Sequence, residues 1–351
     1  MPQNRNIKPD YSKSRVTQAG NNVRSENIAD EDLQVIENWR AAHNKILNDW
    51  QATLRGRCKS QGNVIFAQRL KRRSTIFDKL TRQNEMQLAR MHDIAGCRLI
   101  FNSIDELNAF RLSVHKSKMK HERRKANENP YPYDYIAHPH PDKSGYRGIH
   151  DIYKYCARSN RPTDWNGLLI EIQYRTTCQH AWATAVEIAG QLTGNRSKFG
   201  QGDEKQKEFF RLTSEIIARS HEEMQSCYPS LTNQELVNKF TTLEAEISLL
   251  GNLEQIRVAG TQYDFLKQNY ILILSKDTNA PLEVHSYKTL PEATIKYFEF
   301  ERKHITTVDI DIVLVRAPSE ENLRVSYKNY FSDTQDFVRL VKEGMQILEN
   351  S

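Results

Sequence analysis

The sequence predicts an α+β protein, a mixed-sheet domain flanked by helices and followed by a small C-terminal α/β domain. Three observations support this. Amphipathic helical repeats bracket a middle region, short apolar strand-like runs alternate there with polar loops, and a strand–strand–helix–strand pattern begins near residue 262. The chain, with 351 residues, is long enough for two modest domains with real cores. The expected division is 1–29 disordered, 30–250 the main domain with its flanking helices, and 251–351 the accessory domain.

Residues 1–29 are polar and almost free of large apolar side chains, so they are expected to stay outside the fold. From Asp30, a plausible N-cap, Leu33, Ile36, Trp39, Ile46 and Trp50 keep helical spacing to about residue 56. That helix needs a partner to cover its tryptophans. Between 64 and 190 the pattern becomes mixed, with short strands such as Cys97 to Phe101. A glycine-bounded connection, Gly194 to Gly202, precedes a helix marked by Phe209, Leu212, Ile216 and Ile217. Another helix opens at the capping box Thr232-Asn-Gln-Glu235, where the two side chains can satisfy free backbone amides. Its seam of Leu236, Phe240, Leu243, Ile247 and Leu250 suits internal packing best, with a second copy of the chain as the other possible cover. Strands at 270–274, 282–285 and 308–315, helices at 290–303 and 333–348, complete the chain.

Composition narrows the class. A net charge of +6 favours polyanionic partners without choosing among them. The five cysteines contain no C-x-x-C pair, which argues against a disulfide framework or zinc ribbon. No run approaches the ~18 apolar residues of a membrane span, and no secretory signal opens the chain, so a soluble cytoplasmic protein is expected.

Chemistry concentrates in the middle region. In Leu169 to Arg175 alternation turns Ile170, Ile172 and Tyr174 one way and Glu171, Gln173 and Arg175 the other. Three such polar groups on one strand face suit a site, although a solvated edge strand would read alike. Gln68 to Leu80 clusters cations around Ser74 where a helix begins, a place for phosphate because free amides and positive charge converge. No Walker loop occurs anywhere. Asp93 and Glu171 offer two hard oxygen ligands from two strand regions, the usual requirement for holding Mg²⁺ on a substrate phosphate. The pairs His92-Asp93 and His150-Asp151 lack the further acidic residues of a metal-dependent phosphohydrolase. Gly145 permits a tight bend presenting Tyr146, whose ring could stack on a base. Lys116 to Lys125 carries six Lys or Arg in ten residues, a solvated loop or a contact for polyphosphate or RNA.

Taken together, these segments resemble the synthetase domain of the RelA/SpoT family. The resemblance rests on R-x-K-x-x-S (Arg69, Lys71, Ser74), D-I-A-G-x-R (Asp93, Arg98), D-Y-I…S-G-Y-R-x-I-H (Asp134, Tyr135, Tyr146, His150), and E-I-Q-x-R-T followed by x-W-A (Glu171, Gln173, Arg175, Trp182). It implies a nucleotidyltransferase-like domain that transfers the β,γ-pyrophosphate of ATP to the 3′-hydroxyl of GDP or GTP, leaving AMP. Carried over, Arg69 and Arg98 sandwich the adenine, while Lys71, Ser74, Lys79 and Arg175 serve the donor. Asp93 and Glu171 bind Mg²⁺, and Glu171 with Gln173 orients or deprotonates the attacking hydroxyl. Tyr146, Lys143 and His150 meet the acceptor. No hydrolase-like segment precedes these motifs, so a small synthesis-only member is expected. Two departures touch the acceptor half: Asp142 stands where the family often has Lys, and Ala-Thr-Ala-Val-Glu-Ile follows Trp182 where Glu-His is common. These departures and the basic run leave open the 3′ end of tRNA as acceptor. A non-catalytic nucleotide- or RNA-binding regulator is the remaining reading. Tyr327 to Tyr330 could bring aromatic rings from the accessory domain to the cleft.

Overall fold

The computed structural model describes residues 7–58, 64–124, 133–139, 144–157, 163–192, 204–255, 269–275, 283–303, 310–316 and 334–351. Lys143, the 194–202 connection and Tyr327 to Tyr330 lie outside the described residues.

Strands β1 (Ile65–Leu70), β2 (Ala95–Phe101), β3 (Glu122–Arg123), β4 (Ile149–Lys154) and β5 (Leu169–Thr176) form a five-stranded sheet in the order β1-β2-β5-β4-β3. Only β2 and β5 run parallel; the other pairs are antiparallel. Register decides what each face carries. Gly96 pairs with Arg69 and Glu171, Arg98 with Ala67 and Gln173, and His150 with Gln173, so these residues share one face. Cys97, Leu99, Ile170, Ile172 and Tyr174 alternate to the other and are buried in the main core. The polar face of β5 is therefore the site face, with its apolar partners behind it.

Helices α1 (Lys13–Arg24), α2 (Asp30–Cys58), α3 (Arg73–Arg82) and α4 (Ile104–His115) pack around this sheet, α4 through Leu107, Phe110 and Val114. The tryptophans of α2 are covered as their spacing required: Trp39 and Trp50 are buried, and Trp50 meets the Tyr153 ring at 4.5 Å. The expectation that 1–29 lies outside the fold fails over Lys13–Arg24. Val16, Ala19 and Val23 enter the main core, Ser12 caps the helix, and Arg15 and Asn22 both donate to the buried Asp32 on α2. Small side chains let α1 approach closely, and polar bonds replace the missing apolar bulk.

A second core is helical. It joins α5 (Thr177–Leu192), α6 (Glu204–Glu222), α7 (Asn233–Ile247), α8 (Leu249–Gln255) and α10 (Gln335–Glu349) through Trp182, Phe209, Phe210, Leu236, Phe240, Leu253, Phe337 and Val341. The α7 seam thus packs internally, and its capping box is formed. A separate three-stranded antiparallel sheet, β7-β6-β8, is built from β6 (Asn269–Ser275), β7 (Glu283–Tyr287) and β8 (Ile310–Arg316). One face of it is covered by α9 (Leu290–Lys303) through Ala293 and Tyr297.

The expected boundary at 251 divides what the structure joins. The closing helix α10 belongs to the helical core, and Thr334 Oγ1 donates to the carbonyl of Leu253 while Gln335 Nε2 donates to that of Glu254. The small sheet and α9 are therefore an insertion between α8 and α10. A terminal strand-helix pattern reads as an appendage because sequence order hides the return of the chain.

Candidate active site

A shallow cleft opens on the polar face, lined by Ala67, Gln68, Arg69, Asp93, Gly96, Cys97, Arg98, Glu171 and Gln173. It brings together Arg69, Asp93, Arg98, Glu171 and Gln173, five of the residues singled out from sequence. Gly96 sits between Arg69 and Glu171 in the register, and a Cβ there would still meet no atom closer than 3.9 Å. The cleft floor is low because that position has no side chain.

At one end Asp93 receives two ammonium groups. Lys71 Nζ donates to Oδ2 at 2.9 Å and Lys79 Nζ to Oδ1 at 3.0 Å. Lys71 follows β1 directly, and Lys79 comes from α3, which turns back over Asp93. Burial disfavours the charge on Asp93, but the two lysines outweigh it and hold its pKa below the usual range. Burial likewise lowers Lys71, to about 8, against the pull of Asp93. Ser74 is exposed in the first turn of α3, and Arg72 at the cap position makes no side-chain cap bond.

The other end is a chain of polar contacts. Gln173 Nε2 donates to Glu171 Oε2 at 2.6 Å, and His150 Nδ1 lies 3.1 Å from Oε1. His92 Nε2 stands 3.5 Å from the same Oε1. His150 Nε2 in turn lies 2.6 Å from the Tyr146 hydroxyl, which also accepts from Arg175 Nε at 3.1 Å. Burial opposes the charge of Glu171, yet His150, His92 and Gln173 hold its carboxyl well below the usual range. Burial works against a proton on His150 too, but Tyr146 and Glu171 raise its pKa to about 9. Burial would raise Tyr146; Arg175 and His150 bring it down to about 8.

Tyr146 is thus already engaged. The Arg175 guanidinium carbon lies 5.0 Å from its ring centroid, and Tyr135 and Trp182 meet it edge-on. Arg175, expected on the donor, is placed against this ring, and His150 bridges the ring to Glu171. Asp151 points to the opposite face, where Arg111 and His115 bind it, so His150-Asp151 is not a ligand pair. Trp182 is a buried joint whose Nε1 donates to the Phe210 carbonyl at 2.9 Å.

Residues 68–190 match the sequence profile of the region found in RelA/SpoT proteins. They form a RelA/SpoT region. No curated protein matches the chain. Similar solved structures include small alarmone synthetase 1 from Bacillus subtilis, at 21% identity over 58% of this chain and 93% of that one with a TM-score of 0.38. The same protein bound to its product pppGpp gives 22%, 58%, 93% and 0.38. A GTP pyrophosphokinase family protein from Streptococcus pneumoniae gives 21%, 54%, 88% and 0.39.

Within the RelA/SpoT region, the donor set fits a hard divalent cation. Asp93 and Glu171 are both held ionised on the one cleft, and each carboxylate oxygen can accept more than one partner. Among the described residues no group of three or more His, Cys, Asp or Glu could hold a metal, so such a cation would draw the rest of its shell from phosphate and water. Sequence reasoning missed His92 as a partner of Glu171, although its place beside Asp93 was a usable signal. Gly96 went unremarked as the cleft floor. No described helix is long and apolar enough to cross a membrane.

Proposed function

We propose that the RelA/SpoT region is an ATP-dependent pyrophosphokinase that transfers the β,γ-pyrophosphate of ATP to the ribose 3′-hydroxyl of GDP or GTP, releasing AMP. The observation that carries this reading is the single cleft lined by Arg69, Asp93, Arg98, Glu171 and Gln173. Arg69 and Arg98 lie on neighbouring antiparallel strands and present planar cations suited to an adenine ring. Lys71 and Lys79 stand at the same end as Asp93, where they can turn to the phosphates. With Arg69 and Arg98 they set four cations against two carboxylates, which favours a polyphosphate. Asp93 and Glu171 would hold Mg²⁺, which supplies charge neutralisation on those phosphates.

Glu171, kept ionised by its neighbours, is the group to accept the proton of the attacking hydroxyl, and Gln173 fixes its orientation. Transfer of this kind depends on positioning and charge neutralisation, so no covalent nucleophile is required. A second reading, transfer to the 3′ end of tRNA, is favoured by Lys116, Lys118, Lys120 and Arg124, all exposed near the β3 edge of the sheet.

ATP labelled at its terminal phosphate, offered separately with GDP, GTP, ADP and deacylated tRNA, tests both. Label on GDP or GTP is expected. Label on tRNA alone would replace the first reading by the second, and label on none would sink both. Glu171→Gln should lower turnover by about 10²-fold or more while ATP still binds.

A further inference from the structure

The inserted module packs on the cleft domain through β8 against β1, and one buried guanidinium links it to the cleft's lysine end. Arg40 of α2 is fully buried; its Nε donates to the Lys71 carbonyl at 2.7 Å and its Nη2 donates to the hydroxyl of Tyr297 on α9. Its Nη1 donates to Glu37 at 3.4 Å, and the other oxygen of Glu37 stands 3.9 Å from Arg73 at the start of α3. Lys71 is held at its amide as well, which donates to the Ile94 carbonyl at 2.6 Å. Both backbone groups of the residue whose ammonium grips Asp93 are therefore fixed, one of them by Arg40.

We propose that Tyr297 is a positioning residue for the donor half of the cleft, acting through Arg40 on Lys71 and on the start of α3. The proposal rests on the function given above. A guanidinium carries its donors in a rigid planar fork, so fixing one arm sets the direction of the others. Tyr297 supplies such a fix: it is 2% exposed, and its ring centroid lies 5.6 Å from the Arg40 guanidinium carbon. Ring and hydroxyl together hold the fork where its Nε meets Lys71. Loss of the hydroxyl removes one of the contacts that set the direction of this buried fork, and weakens its hold on the Lys71 carbonyl. The segment that loosens with it is Lys71 to Arg73. The module thereby acts on ATP with none of its described residues lining the cleft.

Tyr297→Phe keeps the ring and removes the hydroxyl. In the full-length, nucleotide-free protein, amide hydrogen exchange should quicken over Lys71 to Leu80 and around Asp93, with α6, α7 and α10 unchanged. The Kd for a non-hydrolysable ATP analogue and the KM for ATP should rise about tenfold, the low end of the scale of one hydrogen bond to a charged group. The acceptor KM should hold. Arg40→Lys, which keeps the charge and loses the fork, should reproduce the pattern. Unchanged exchange and ATP affinity in Tyr297→Phe would overturn the proposal. So would a general loss of stability with kcat reduced and the ATP KM unmoved, the mark of a merely structural contact. If the parent binds ATP yet transfers nothing, the proposed function fails while exchange and affinity still decide the role of Tyr297. A parent that binds no ATP overturns both.

Discussion

At Gly148 there is no room for a side chain. A Cβ would lie 2.8 Å from the Tyr146 hydroxyl and 3.3 Å from Arg175 Cγ, at a φ of +155°. Gly148→Ala should therefore push the hydroxyl away from His150 and raise the acceptor KM, with the ATP KM little changed. Steady-state kinetics with each substrate varied in turn checks this, and equal rises in both would show that the ring is not specific to one end. His43 offers a different residue-scale test, one of stability. It is buried on α2 with Nδ1 2.7 Å from the Trp39 carbonyl, and burial lowers its pKa from 6.5 to about 4. The unfolded chain therefore binds the proton more readily than the folded one. Stability from keeping His43 neutral is complete above pH 6.5 and is lost as pH falls from there through about 4. The loss should approach about 3 kcal/mol. Urea midpoints of the parent should drop more steeply across that window than those of His43→Gln; parallel curves would remove His43 as the cause.

Elements differed in how plainly the sequence announced them. Where apolar residues recur at helical spacing, as in α2, α6 and α7, or alternate, as in β5, the side chains that fill the core are the ones that make the pattern. The same alternation exposed the polar wall of the cleft, since Glu171 and Gln173 share a face by pleat alone. Nothing local could tell that His150 reaches both Glu171 and Tyr146, because that contact depends on the β4–β5 register. Helix α1 was illegible for another reason. Its packing uses Gly20, where a Cβ would stand 2.8 Å from Leu88 Cβ, and uses Arg24, whose guanidinium donates to the Leu80 and Met86 carbonyls. Small and polar residues that dock a helix look the same in sequence as those that leave a tail in solvent. Gly20→Val should accordingly cost about 1–3 kcal/mol through overpacking. At α7, by contrast, Thr232→Ala should cost about 1 kcal/mol by removing one half of a formed capping box. Chemical denaturation of the two variants measures both, and a harmless Gly20→Val would mean that α1 is not docked against Leu88.

On the scale of the whole molecule, the inserted module predicts two different outcomes for two ways of removing it. Ending the chain after Gln255 also removes α10, and with it Phe337, Val338, Leu340, Val341 and Leu348 from the helical core. Phe337 alone faces Phe209 at 6.3 Å and Phe210 at 6.0 Å. With each buried apolar side chain contributing roughly 1.5–3 kcal/mol, the loss rivals a typical total stability of about 5–15 kcal/mol. The truncated chain should fail to fold, and a change in its activity would say nothing about whether Tyr327 to Tyr330 reach the cleft. Replacing 256–333 by a short Gly/Ser linker is another matter. The bonds from Thr334 to Leu253 and from Gln335 to Glu254 hold the two ends of the insertion side by side, so a linker of about six residues spans them readily. That variant should melt cooperatively with its helical core intact. Because it lacks Tyr297, it should also share the raised ATP KM of Tyr297→Phe while keeping the acceptor KM. Calorimetry and kinetics on the two deletions separate the cases: if the truncation folds as well as the excision, α10 is dispensable to the core and the insertion topology has no energetic consequence.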